Sequence, residues 1–291
     1  MLGAFEIQIL QFFEGIRSDF LNTVFEAITM ISEEMLMIVL IAFLWFAADK
    51  RLAQKVLYVS LASMSLNGII KNFARVPRPF ATGQVSCVRM DTATGYSFPS
   101  AHTQAFATWS SVVAKNLKKA WLWRLVGTVI VLVGFSRIFL GAHYPSDVVV
   151  GALLGVACAF LGDWLFDKVK NTNRLYLLTI LAVTPFVVLF FFWADPQFED
   201  LFKFYGMMIA MVASVWVDQR WVNLSTQAPW WKTVLRMAIA AVFAVLVKVV
   251  LGAIPVGDSV HAMLIMEAVI HFGMVFAGLG LCPCLIKVLK I

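Results

Sequence analysis

Three short stretches of this 291-residue chain carry the residue types that could do chemistry: "KNFARVPRP" (Lys71–Pro79), "PSAH" (Pro99–His102) and "SRIFLGAHYPSD" (Ser136–Asp147). In the third, His143 precedes Asp147 by one helical turn. A carboxylate on one imidazole nitrogen fixes the tautomer and leaves the other nitrogen free to attack an electrophile. In the second, Ser100 is placed to cap a helix, and the unpaired amides that follow it suit an anion. His102 adds a group that titrates near neutrality. In the first, Lys71 and Arg78 are both able to reach an anion, and Val76-Pro77 and Arg78-Pro79 force an extended exit from the preceding helix. Each stretch alone has a plainer explanation: a helix cap, a satisfied helix start, or a cation reaching lipid headgroups. Taken together they collect two of the four histidines, a carboxylate and several cations, as one anionic, phosphate-handling site would require.

The elements that must position these groups are helices in a bilayer. The chain is 61% hydrophobic and 14% charged, with a mean hydropathy of +0.86, against about 25% charged for an ordinary soluble domain. Hydrophobic runs predict an all-α, polytopic membrane protein with about nine spans. These lie near residues 28–48, 53–72, 101–115, 121–141, 147–167, 175–194, 204–219, 232–251 and 261–285. The opening 1–27 mixes apolar residues with Glu6, Gln8, Gln11, Glu14 and Arg17 and reads as an interfacial helix, with no cleavable leader. Residues 28–194 then form the membrane core and 195–291 a three-helix extension. The four cysteines show no metal spacing, and no structural disulfide is expected.

Lysine and arginine orient the spans. Most of the 23 basic residues fall in connections such as 49–55, 115–124, 168–174 and 220–236 and at the C-terminus, Lys287 and Lys290 included. The positive-inside rule therefore places the N-terminus outside and the C-terminus inside. The net charge of +6 is thus a topology signal, and no nucleic-acid partner is implied. Lys71, Arg75, Arg78 and Arg137 do not follow that rule, because they sit at the outer ends of two spans. An isolated charge inside a span costs about 2.5–3.5 kcal/mol on insertion scales, so a cluster at this depth points to a bound anion. Arg75 reads as a headgroup contact.

The pattern Lys71-x6-Arg78-Pro79, Pro99-Ser100-Ala101-His102, Ser136-Arg137-x5-His143-x3-Asp147 resembles the type 2 phosphatidic acid phosphatase superfamily. That family includes membrane lipid phosphatases, polyprenyl pyrophosphate phosphatases, glucose-6-phosphatase and vanadium haloperoxidases. The resemblance implies a six-helix phosphatase core with His143 as the nucleophile, Asp147 orienting it, and His102 as the acid and then the base. It implies that Lys71, Arg78, Arg137, the Ser100 hydroxyl and the Ala101 amide hold the phosphoryl oxygens, with no metal or other cofactor. Ala101 departs from the glycine usual in the family but keeps the backbone amide.

Within that class the short loop from Phe80 to Phe98 favours a lipid phosphate or pyrophosphate over a sugar phosphate. A phosphotransferase would carry the same residues, and a lipid transporter or binding protein would need only the cations. The expected setting is a bacterial cytoplasmic membrane with the site facing outward; oligomeric state is open. In the extension, Lys248 is expected to pair with Glu267, with His271 one turn deeper.

Overall fold

The computed structural model describes residues 2–90 and 92–289, and no strand occurs among the described residues. Lys290, part of the orientation argument, lies outside them. Twelve α-helices follow in chain order among the described residues: α1 (Leu2–Gly15), α2 (Asp19–Met30), α3 (Glu34–Ala47), α4 (Lys50–Ala74), α5 (Ala101–Leu117), α6 (Ala120–Phe139), α7 (Pro145–Lys168), α8 (Thr172–Trp193), α9 (Glu199–Val217), α10 (Trp230–Gly252), α11 (Val260–Phe276) and α12 (Cys282–Leu289). Seven stretches are long and apolar enough to cross a membrane, the two helices α2 and α3 counting as one stretch. Two expected spans, 53–72 and 101–115, do form helices (α4 and α5) but fall outside that set. The reason is chemical: α4 buries Lys55, Ser60, Ser63, Ser65, Asn67, Lys71 and Asn72, and α5 buries Thr103, Gln104, Thr108, Ser110 and Ser111. These helices turn polar groups toward protein, where lipid-facing helices cannot.

The chain groups into two compact units, Met1–Met37 with Leu66–Leu161, and Ile38–Ser65 with Gly162–Ile291. The first holds all three chemistry-bearing stretches. Within it, α7 approaches α5 through two glycines. A Cβ on Gly151 would stand 2.7 Å from the Ser100 carbonyl oxygen, and one on Gly155 would stand 2.6 Å from that of Gln104. Thr108 Oγ1 uses the proximity to donate to the Gly155 carbonyl at 3.2 Å. At the top of this contact the Ser100 amide donates to the Asp147 carbonyl at 3.0 Å, so the starts of α5 and α7 are joined directly.

The second unit has its own polar fasteners. Lys55, expected as an inner-face charge, is buried and meets Asp163 at 2.9 Å and Asp167 at 2.7 Å. Lys50 donates to both oxygens of Asp218 and to the Leu224 carbonyl. Gly206 lets α9 close on α11, since its Cβ would lie 2.1 Å from the Ala268 carbonyl oxygen. Glu267 adjoins His271, whose Nδ1 lies 3.4 Å from Oε2, and it acts electrostatically on Lys203. Lys248, the expected partner of Glu267, is exposed. The physical reason is spacing: His271 lies one turn along the same helix face as Glu267.

The close approach at Gly155 makes a direct prediction. Gly155→Val should lower the apparent Tm in detergent, by an overpacking cost of about 1–3 kcal/mol. Gly127→Ala, at a site with nothing within 4 Å of an added Cβ, should leave Tm unchanged or slightly higher. A differential scanning measurement on both variants checks it.

Candidate active site

The site is built at the ends of four helices in the first unit. Pro145 opens α7, where its fixed φ and missing N–H cost nothing, and puts Asp147 in the first turn. Asp147 is 1% exposed, and its Oδ2 is a shared acceptor. It receives the Tyr144 amide at 2.9 Å, the Ser97 hydroxyl at 2.5 Å and the ring Nδ1 of His143 at 3.3 Å. The carboxylate therefore caps its own helix and holds the imidazole at the same time.

The opposite edge of the His143 ring defines its tautomer. Arg78 Nη1 lies 3.1 Å from His143 Nε2. A guanidinium has donors only, so Nε2 must be the acceptor and the ring proton must sit on Nδ1, facing Asp147. That arrangement leaves the Nε2 lone pair directed into the basic cluster. Burial, followed by Arg78, Arg137 and Lys71, holds this imidazole well below the usual 6.5.

Arg78 is fixed from behind. Its Nε donates to the Gly95 carbonyl at 3.0 Å, its Nη1 to that of Ala142 at 3.0 Å, and its Nη2 to that of Thr94. The extended Arg78, set by the flanking prolines, thus ties the 94–97 loop to the catalytic turn. Lys71, in the last turn of α4, is 1% exposed and close enough to act electrostatically on both His102 and His143. Arg137, in the last turn of α6, is fully buried. Its Nη1 donates to Thr29 Oγ1 at 3.1 Å, while Nε and Nη2 have no hydrogen-bond partner among the described residues.

Ser100 is the N-cap of α5, as expected, but its hydroxyl makes no cap bond and instead pairs with Thr103 Oγ1 at 3.0 Å. Ala101 and His102 open the helix and are half-buried. Arg137, His143, Arg78 and Lys71 all act on the His102 ring. All eight residues singled out in the sequence therefore lie in one unit. Sequence reasoning missed Ser97, which braces Asp147, and Thr29, which holds Arg137. Neither sits in a spacing pattern, and each finds its partner across at least fifty residues. Beside Asp147 lies a cavity of about 490 Å³ bounded by Ile7, Val76, Phe98 and Tyr144.

The assembly of buried cations, imidazole and carboxylate is a phosphate-chemistry site by its donor set, and the chain's similarities agree. Residues 52–171 match the PAP2 superfamily, and residues 202–291 match the PAP2 superfamily phosphatase transmembrane extension. The chain belongs to the PAP2 superfamily. It is 36% identical over 99 residues to the bacitracin transport permease protein BcrC of Bacillus licheniformis, covering 34% of this chain and 47% of that protein. It is 31% identical over 149 residues to undecaprenyl-diphosphatase BcrC of Bacillus subtilis, covering 48% of this chain and 75% of the relative. The chain thus spans about half the length of the first of these relatives. A transmembrane PAP2 type phosphatidylglycerolphosphate phosphatase from Bacillus subtilis has a crystal structure that superposes with a TM-score of 0.50 at 26% identity, covering 58% of this chain and 88% of that one.

The turn that presents His143 depends on Gly141, whose φ is +78°. A Cβ there would stand 2.2 Å from the Ser86 carbonyl oxygen and 2.7 Å from Arg17 Nη2. Gly141→Ala should cost about 2 kcal/mol from the left-handed backbone alone, with the clash added. The expected outcome is a clear fall in thermal stability of the purified protein.

Proposed function

We propose that this protein is an integral membrane phosphatase that hydrolyses a lipid phosphate or pyrophosphate at the outer membrane face through a phosphohistidine. The observation that carries the reading is Arg137, a fully buried guanidinium with two donors lacking any protein acceptor among the described residues. Such a group is costly unless an anion accepts from it. Lys71 and Arg78 nearby make that anion multiply charged, and a phosphoryl group fits.

In this mechanism the substrate phosphoryl oxygens take the donors of Arg137, Lys71 and Arg78, together with the Ser100 hydroxyl and the Ala101 amide. Arg78 then exchanges its contact with Nε2 for a phosphoryl oxygen and frees the lone pair. Nε2 attacks phosphorus, the bond to the leaving oxygen breaks, and His102 gives that oxygen a proton. Asp147 stabilises the positive charge that builds on His143. Water, losing its proton to His102, then attacks the phosphohistidine; the nitrogen–phosphorus bond breaks and inorganic phosphate leaves. Charge grows on the equatorial oxygens in each step, so preorganised cations supply the largest share of the rate.

A lipid substrate is supported by the apolar helices around the site and by the activities named for the similar proteins. The outward orientation rests on the distribution of lysine and arginine, and a bacterial cytoplasmic membrane is the corresponding setting. We also assign 28–194 as the catalytic core, 195–291 as an extension without catalytic groups, and 1–27 as an interfacial segment.

The test is phosphate release by detergent-purified protein, without added metal. The panel holds a polyprenyl pyrophosphate, phosphatidic acid, phosphatidylglycerol phosphate and glucose 6-phosphate. Wild type should release phosphate from a lipid substrate, vanadate should inhibit it, and His143→Ala should lose at least about 10³-fold, the scale of removing a nucleophile. Equal inertness of wild type and variant on every substrate would remove the hydrolase reading.

The low basicity of His143 makes a second prediction. Lowering the affinity of a base for protons keeps it unprotonated to lower pH. The acid limb of kcat/KM, which reports the free enzyme, should therefore lie below the ordinary histidine value of 6.5. A limb at or above 6.5 that belongs to the enzyme would contradict the environment described for this ring.

A further inference from the structure

The N-terminal segment lies outside residues 52–171, the part of the chain that matches the catalytic family, yet it reaches both ends of the turn that carries His143. Arg17, between α1 and α2, directs Nε at 2.9 Å and Nη2 at 2.8 Å onto the carbonyl of Phe139, the last residue of α6. Its Nη1 binds the carbonyl and hydroxyl of Ser86. Glu14, one turn before, accepts the Ser86 amide at 2.9 Å and also the Ser86 hydroxyl. At the far end of the turn, Glu6 Oε1 accepts the amide of Ser146, which stands next to Asp147. Thr29 of α2 holds Arg137.

The charges are matched to their places. Arg17 binds where α6 ends and its carbonyls are unpaired; Glu6 binds where α7 begins and its amides are unpaired. The intervening turn, Leu140–Tyr144, is therefore gripped by a cation on one side and a carboxylate on the other. Gly141 leaves the room through which Arg17 passes. Apolar contacts press the same segment down: Phe25 stacks 4.1 Å from Phe139, Phe13 meets Phe135 edge-on at 5.1 Å, and Ile7 and Leu10 pack with Val85, Ile138 and Tyr144.

We propose that the N-terminal segment is a clamp that sets the nucleophile turn, with Arg17 and Glu6 as positioning residues for His143 and Asp147. Neither residue touches the reacting atoms. Arg17 fixes where α6 stops, Glu6 fixes where α7 starts, and the distance between these two points determines how Nε2 is presented. The kinetic consequence rests on the phosphatase reading; the structural consequence does not.

The test uses the full chain with Arg17→Ala, Arg17→Lys, Glu6→Ala and Glu6→Gln, measured in two ways. Hydrogen exchange of the 137–147 segment should quicken in both alanine variants, while exchange in α9 and α11 stays as in wild type. In turnover, kcat should fall about 10- to 100-fold with KM within about threefold, the split expected when geometry and not binding is lost. Glu6→Gln should recover most of the kcat, because an amide oxygen still accepts from the Ser146 amide. Arg17→Lys should recover little, because an ammonium cannot reproduce the fork on Phe139 and Ser86. If the alanine variants prove too unstable to purify, the Glu6→Gln and Arg17→Lys pair carries the comparison alone. Unchanged 137–147 exchange, or a kcat within twofold of wild type in both Arg17 variants and Glu6→Ala, overturns the clamp. An inert wild type whose 137–147 exchange still responds to Arg17 would remove the phosphatase reading and keep the clamp.

Discussion

Lys71, Arg78 and Arg137 are buried near one another at the ends of α4 and α6 and in the exit loop between α4 and α5, and much of the first unit is organised around bearing that charge. Like charges taken out of water repel and lose hydration, and each needs acceptors in return. Arg78 finds them in the backbone, on Thr94, Gly95 and Ala142, so the loop and the turn are shaped by its guanidinium. Arg137 finds only Thr29 among the described residues. The imbalance between a well-satisfied arginine and a poorly satisfied one separates a group that mainly builds the site from one whose donors remain to bind.

The same cations act on the nucleophile. They face Nε2 of His143, while Asp147 faces Nδ1, and the ring is polarised between them. Asp147 can do this because Ser97 and the Tyr144 amide hold its Oδ2 in place. An imidazole kept neutral by surrounding positive charge is ready to attack at neutral pH, and the charge it acquires on attack is met by a carboxylate already in position. Electrostatics and tautomer thus agree on one nitrogen.

This arrangement explains why the helices carrying the site are the least membrane-like of the set. A lipid-facing helix needs apolar side chains all round, but α4 and α5 must present lysine, serine, threonine and asparagine to protein neighbours. Small residues on α7 let the backbones come close enough for those groups to meet, at Gly151 and Gly155. The apolar helices α6 and α8 and the second unit's α10 and α11 have no such duty, and their sequences show it.

Much of this was legible in the linear chain. Composition set the all-helical membrane class, and the spacing of Lys71, Arg78, Ser100, His102, Arg137, His143 and Asp147 identified the site, because covalent spacing along a helix or tight turn directly constrains which side chains share a face. Span counting was weaker at α4 and α5, where a hydropathy average cannot distinguish polar residues facing protein from polar residues facing water. Ser97 on Asp147, Thr29 on Arg137, and Glu6 and Arg17 at the two ends of the catalytic turn had no periodic signature. Their partners lie 50 to 140 residues away, and the hydrogen bonds that join them exist only once the helices have packed. The residue types and local spacing of the chemistry were therefore properties of the sequence, while the groups that hold those residues in place were chosen by the tertiary structure.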